Sequence, residues 1–198
     1  FKNALVVLLT FQAAQWTTLS PGLLANMAAG IFILPFFLFS ATAGQLADKY
    51  DKAMLARLVK VLEMLIMGIA AVGFFLHSLP VLMGALFLLG CHSTLFGPVK
   101  FAYLPQVLSE RELTGGNGMV EMGTFVAILL GNVVGGLIVA IPGTGHRDVA
   151  IACVLAAVIG RAVAQFIPRA PATDPGLVIN WNPFSETWRN LKLAHENI

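Results

Sequence analysis

The chain has 198 residues, of which 58% are hydrophobic and only 11% charged, with 12 Lys and Arg against 10 Asp and Glu and a formal net charge of +2. Soluble globular domains carry about 25% charged residues, so this composition, with a mean hydropathy of +0.83, excludes a water-soluble globule of this size. The small net charge offers no electrostatic footprint for a nucleic-acid partner, and Cys91 and Cys153 lie inside apolar runs, where they read as buried hydrophobes and not as a disulfide framework.

A helix needs about 20 apolar residues to cross the hydrocarbon core of a bilayer. Six segments qualify in chain order: 1–19, 24–47, 53–76, 79–104, 116–141 and 149–167. The first begins abruptly and carries Asn3, Gln12 and Gln15 among apolar residues. The breaks between segments hold turn chemistry: SPG at 20–22, HSLP at 77–80, SERELTGGN at 109–117 and PGTGHRD at 142–148. None reads as a cleavable signal peptide, because each is too long and further spans follow. The break between the second and third segments is the charged stretch GQLADKYDK, 44–52.

Alternate connections lie on the same side of a membrane, and the basic residues sort by that rule. Eleven of the 12 Lys and Arg fall at the start, after segments two and four, or at the end of segment six and beyond; only Arg147 falls on the other side. The positive-inside rule puts the larger set, with the N-terminus and the tail, in the cytoplasm. After residue 167 the chain changes character. PRAPATDPG breaks the helix, and NPFSETWRNLKLAHENI then predicts a helix with Asn182 as N-cap and Pro183 at its first position. Phe184, Trp188 and Leu191 share one face beside Arg189 and Lys192, which suits either a helix lying in the membrane interface or a linker helix packed on the protein. The expected organisation is a six-helix transmembrane bundle over 1–167 and a cytoplasmic linker with an amphipathic helix over 168–198, leading to a second half.

The loop 44–52 resembles the signature loop between helices two and three of the major facilitator superfamily, Gly-x-Leu-Ala-Asp-Arg-x-Gly-Arg-Lys. The matching positions are Gly44, Leu46, Ala47, Asp48, Lys49 and Lys52; Asp51 stands where that family prefers Gly, and Ala53 where it prefers a base. In this reading Gly44 lets helices approach closely, Asp48 meets a helix N-terminus or a base across the interface between halves, and Lys49 and Lys52 hold the loop at the anionic cytoplasmic surface. An ordinary positively charged cytoplasmic loop is the plain alternative. GNVVGG, 131–136, resembles the Gly-Pro-x-x-Gly-Gly core of the superfamily's helix-five motif, with Asn132 in place of Pro. Gly131 and Gly135, with Gly136 beside them, also form a face for close helix packing. The implied fold class is all-α: the six-transmembrane-helix N-terminal bundle of a major facilitator superfamily fold.

Residues 96–136 are similar to the bacterial lysophospholipid transporters. Pro98, Lys100 and Phe101 match that family's Pro-x-Lys-(Tyr/Phe) element, and Asn117, Gly118, Met119 and Glu121 its Asn-Gly-Leu-Met-Glu-like element. The resemblance implies transport of a lysophospholipid, chiefly lysophosphatidylethanolamine, to the inner leaflet of the bacterial cytoplasmic membrane for reacylation. It implies as partners membrane lipids, a second transporter half, and the acyltransferase and acyl-carrier-protein synthetase to which some members are fused. A drug or metabolite exporter of the same superfamily is the rival within transporters, and a non-transporting membrane anchor for an acyltransferase the rival outside them.

Ionisable groups inside spans are costly and point to function. Lys100 and Glu121 flank the connection between segments four and five at similar depth. They pair with each other, or Lys100 holds a lipid phosphate, or Lys100 snorkels to the surface. Glu63 lies well inside segment three and either pairs with Lys60 or faces the bundle. Asn3, Gln12 and Gln15 line a cavity or hydrogen-bond between helices, and His92, Ser93 and Thr94 make a polar step near mid-span. The sequence holds no metal-ligand cluster, P-loop or nucleophile elbow, so neither catalysis nor a metal or other cofactor is expected.

Overall fold

The computed structural model describes residues 1–11, 17–182, 185, 186, 188, 189, 192 and 195. Among them it contains six α-helices: α1 (Lys2–Phe11), α2 (Pro21–Lys49), α3 (Lys52–Phe75), α4 (Leu79–Val107), α5 (Glu110–Val139) and α6 (Gly145–Ala164). Four of these, α2 to α5, are long and apolar enough to cross a membrane. The described part of α1 is short, and α6 carries Arg147, Asp148 and Arg161 in its 20 residues.

The helices appear in the expected order, but their ends differ from the apolar runs. The largest shift is at α5, which begins at Glu110 and not at residue 116. Most of the expected SERELTGGN turn is therefore helical. Ser109 precedes the helix, and both its backbone N–H (3.1 Å) and its hydroxyl (2.7 Å) donate to the Glu112 carboxylate. This local capping outweighs the low helix propensity of Gly115 and Gly116. Similarly, α2 starts at Pro21, whose fixed φ suits a first helical turn, and α3 starts at Lys52 with the Asp51 side chain accepting the Met54 N–H at 2.9 Å. At the far end of α3, His77 adopts φ 52° and the Ser78 N–H donates to the Gly73 carbonyl at 2.9 Å, closing the helix. α6 begins at Gly145, earlier than the expected 149, and ends at Ala164, short of 167. The first segment is helical to Phe11, and Thr17–Leu19 lie outside any helix, so the expected span 1–19 is not one continuous helix through to residue 19.

The six helices close into a ring in which α1 touches α2 and α5, α2 touches α4, α4 touches α3, α3 touches α6, and α6 touches α5; α4 and α5 also meet across it. The largest hydrophobic cluster gathers Leu5, Leu8 and Leu9 of α1, Leu24 of α2, Phe74 of α3, Leu82 and Leu86 of α4, Val139 of α5 and Val149 of α6. Because the helices alternate in direction, these residues close the end of the bundle opposite the α2–α3 turn. Polar side chains collect at the other end.

The most extensively packed pair is α2 with α4. Pro35 interrupts the α2 ladder, since it has no N–H to donate. Gly90 of α4 lies against this interruption: a Cβ there would stand 2.5 Å from the Phe32 carbonyl oxygen and 2.9 Å from Pro35 Cγ. Close backbone approach at small residues is a main source of helix association in lipid. Gly90→Ala is expected to destabilise the folded protein by about 1–3 kcal/mol through overpacking. Gly84→Ala, where a Cβ meets nothing within 4 Å, is expected to be neutral. Melting temperatures of the two variants in detergent check the difference.

Candidate functional site

The polar end of the bundle is organised by Lys52, which is fully buried. Its Nζ donates to the Pro171 carbonyl at 3.0 Å and to the Thr173 hydroxyl at 2.6 Å, and its backbone N–H donates to the Ala170 carbonyl at 2.9 Å. Around it the chain beyond α6 is tied down repeatedly. The Thr173 and Asp174 N–H groups donate to the Asp48 carbonyl at 2.9 and 3.0 Å. Arg57 holds the Ile167 carbonyl at 2.8 Å, Gln106 holds the Pro171 carbonyl at 3.1 Å, and the Asn180 N–H donates to the Gln45 side chain at 2.8 Å. Residues 167–180 are thus a strap across the ends of α2, α3 and α4.

This corrects the expected roles in the signature loop. Lys52 does not reach towards a lipid surface; its ammonium is satisfied within the protein. Lys49 lies 6.0 Å from the Tyr50 ring, and the Asp48 residue is exposed while its carbonyl anchors the strap. Gly44 does not mediate close approach here, because a Cβ would meet nothing within 4 Å. The same holds for Gly131 and Gly136, whereas a Cβ on Gly135 would lie 3.2 Å from Ala4 Cβ; only Gly135 of that motif packs tightly. In the tail, the Asn182 side chain accepts the Ser185 N–H at 3.2 Å as an N-cap does, and Trp188 is exposed. Pro183, Phe184 and Leu191 lie outside the described residues.

Beside the strap opens a cleft of about 430 Å³ between α3, α4, α5 and α6. Ala56, Phe96, Val99, Leu104, Val120, Val163, Phe166 and Ile167 give it apolar walls, and Lys52, Lys100 and Tyr103 also line it. Lys100 Nζ makes an ion pair with Glu121 Oε1 at 2.8 Å and stands 4.5 Å from the centroid of the Phe101 ring. The pair therefore forms, though the two residues are not at equal depth. Lys100 precedes the last α4 residue, Val107, by seven positions, and Glu121 follows Glu110 by eleven, so at 1.5 Å per residue they lie about 10 and about 16 Å inside their helices. The long side chains span the difference. Both remain partly accessible, at 19% and 40%.

Deeper in the bundle, Glu63 makes the expected pair with Lys60 at 2.6 Å and also lies 3.7 Å from Nε2 of the buried His92. Asn3 and Ser93 line a separate cavity of about 230 Å³ with Lys2 and Phe32. The Thr94 hydroxyl instead donates to the Gly90 carbonyl of its own helix at 2.8 Å. Gln12 and Gln15 lie outside the described residues. The residues that the sequence reading missed are those that hold the strap, Gln45, Arg57, Gln106 and Thr173. The available signal was a pair of glutamines near the ends of apolar helices.

Lys52→Ala is expected to release the strap. The amides of Thr173 and Asp174 should then exchange with solvent at least about tenfold faster, the equivalent of one lost charged hydrogen bond, while Lys49→Ala leaves them unchanged. Hydrogen exchange read by mass spectrometry on the two variants measures this.

The family model for the Major Facilitator Superfamily matches residues 3–194. Among curated proteins, the lysophospholipid transporters LplT of Escherichia coli O7:K1 (strain IAI39 / ExPEC) and of Escherichia coli O6:K15:H31 (strain 536 / UPEC) are each 31% identical to the chain over 171 residues. That of Escherichia coli (strain K12 / DH10B) is 30% identical over 171 residues. Each alignment covers 81% of this chain and 40% of the relative, so the chain spans about two fifths of the length of the curated relatives it matches. No solved structure matches it.

Proposed function

Because this chain belongs to the major facilitator superfamily, we propose that it forms the N-terminal half of a lysophospholipid transporter of the bacterial inner membrane. The single observation that carries the reading is the cleft at Lys100: an apolar space of about 430 Å³ with an ammonium at its rim. That arrangement suits an amphiphile with one acyl chain and an anionic head group. The apolar walls take the chain. A phosphate reaching Lys100 displaces or shares the Glu121 carboxylate, so the cation need never be left unpaired in a low-dielectric site. The similarity to transporters named for lysophospholipid supports the same substrate class.

Transport proceeds by alternating access, with this bundle rocking against a second half. The exposure of α5 supports such a partner: Val139 is its one buried residue, and Met122, Phe125, Leu129 and Val133 are all exposed. The reacylating acyltransferase and acyl-carrier-protein synthetase then act on the delivered lipid at the cytoplasmic leaflet. The split of basic residues supports a cytoplasmic α2–α3 turn, strap and N-terminus.

Two measurements test this reading. In liposomes containing the full-length protein, Lys100→Ala is expected to lower lysophosphatidylethanolamine uptake at least about tenfold, the loss of one charge-assisted contact, while Lys100→Arg retains part of it. Wild-type uptake by a stable Lys100→Ala protein overturns the phosphate role. If Lys100 serves only to pair Glu121, the melting temperature falls in each single variant and recovers in the double variant Lys100→Ala/Glu121→Ala. For orientation, a cysteine at Thr144 is expected to react with an impermeant maleimide on intact cells and one at Tyr50 is not; the reverse pattern inverts the topology.

A further inference from the structure

A second charged cluster lies beyond the wall of the cleft and takes no part in holding a head group. His92 of α4 is buried, and neither Nδ1 nor Nε2 has a hydrogen-bond partner among the described residues. A neutral imidazole carries one N–H and one lone pair, and burying both unmet in an apolar bundle is costly. The group nearest the ring is the Glu63 carboxylate, 3.7 Å from Nε2, and the same oxygen is held by Lys60 at 2.6 Å. The Lys60 and Glu63 side chains are each 24% accessible, whereas the ring itself is enclosed.

The cluster touches the cleft through one residue. Phe96 lines the cleft, its ring stacks on His92 with centroids 6.3 Å apart, and Lys60 Nζ stands 5.4 Å from its centroid. Few other titratable groups face it. From α3 come Lys60, Glu63 and, one turn before Lys60, Arg57; α4 adds Cys91 beside His92 and, two turns on, Lys100, and Cys153 of α6 packs near Ile66 and Ala85. From α6, Arg161 follows Gly160, at which Lys60 Nζ lies 3.7 Å from a Cβ position. α2 has no titratable residue before Asp48, α1 brings Lys2, and Glu121 of α5 is held by Lys100.

We propose that His92, Glu63 and Lys60 form a proton-binding site inside the membrane-spanning bundle, coupled to the amphiphile cleft through Phe96. A proton from the aqueous phase adds to the Nε2 lone pair, and the new N–H donates to Glu63 Oε2. No other bond is made or broken, and the proton returns to water when the contact opens. With the ring protonated, Glu63 is shared between two cations, the Lys60–Glu63 pair loosens, and the ammonium over Phe96 is free to shift. The position of a cleft wall thereby depends on proton occupancy. The coupling, though not the site, rests on the transport reading given above.

The test uses the full-length protein with His77→Asn, His146→Gln and His195→Gln, so that in this part of the chain His92 is the one imidazole left, labelled with nitrogen-15. Comparison with a further His92→Gln variant assigns its signal. The ring signal is expected to change protonation state within the pH range over which the protein stays folded. Glu63→Gln should move the midpoint by about one pH unit or more, as befits a charge within 4–6 Å, and Glu121→Gln should leave it in place. Lysophosphatidylethanolamine uptake into liposomes should follow the same midpoint in wild type and lose its pH dependence in His92→Gln. A ring locked in one protonation state across that range, or a midpoint indifferent to Glu63, overturns the site. A His92→Gln uptake profile as pH-dependent as wild type overturns the coupling. A protein that moves no lysophospholipid yet shows the Glu63-dependent titration overturns the transport reading and leaves the proton site standing.

Discussion

An ammonium or carboxylate inside an apolar helix bundle must find a partner, because the surroundings offer no water to replace one. That constraint places most of what matters in this molecule. Lys52 is buried against a backbone carbonyl and a hydroxyl, while the partly accessible Lys60 and Lys100 pair with Glu63 and Glu121. Each pairing joins segments distant in sequence or fixes the direction of one helix face. The strap lies where it does because the Lys52 ammonium and the Arg57 guanidinium need the carbonyls that it brings.

The pairings differ in how readily they can be exchanged. The partners of Lys52 belong to the chain itself and leave no accessible surface on the lysine. No ligand can replace them without unfolding the strap, so Lys52 is structural. Lys100 faces a carboxylate that is 40% accessible, at the edge of a space lined by apolar side chains. A phosphate can compete for that contact, because the carboxylate it displaces is 40% accessible and not enclosed. His92 is the exception to the rule, buried with both ring nitrogens unmet among the described residues and a carboxylate just beyond hydrogen-bond reach.

Beside the cluster of large apolar side chains, backbones meet closely at a few small residues. Gly90 lies on the Phe32 carbonyl beside Pro35, Gly135 lies on Ala4, and Gly145 fits against the Val139 and Ile138 carbonyls. In an apolar solvent the hydrophobic effect between helices vanishes, and close approach takes its place. The outward face of α5 has no such contacts.

The sequence by itself determined the class, the six helices and their order, because apolar runs of fixed length and charged breaks are local properties of a chain in a membrane. It also singled out Glu63, Lys100 and Glu121, which are conspicuous inside apolar runs, and it named the Lys100–Glu121 pair as one of three possibilities. It misjudged the start of α5, because hydropathy does not register a cap such as Ser109–Glu112, in which polar side chains extend a helix past its apolar stretch. Only the tertiary structure decided that Lys52 turns inward, that Gly44 and Gly131 are open while Gly90 and Gly135 are crowded, and that Phe96 stands between the Lys100 cleft and the Lys60–Glu63–His92 cluster. Each of these is a relation between helices far apart in the chain, fixed by how the ring closes and by which buried charge reaches which partner, and no local pattern encodes it.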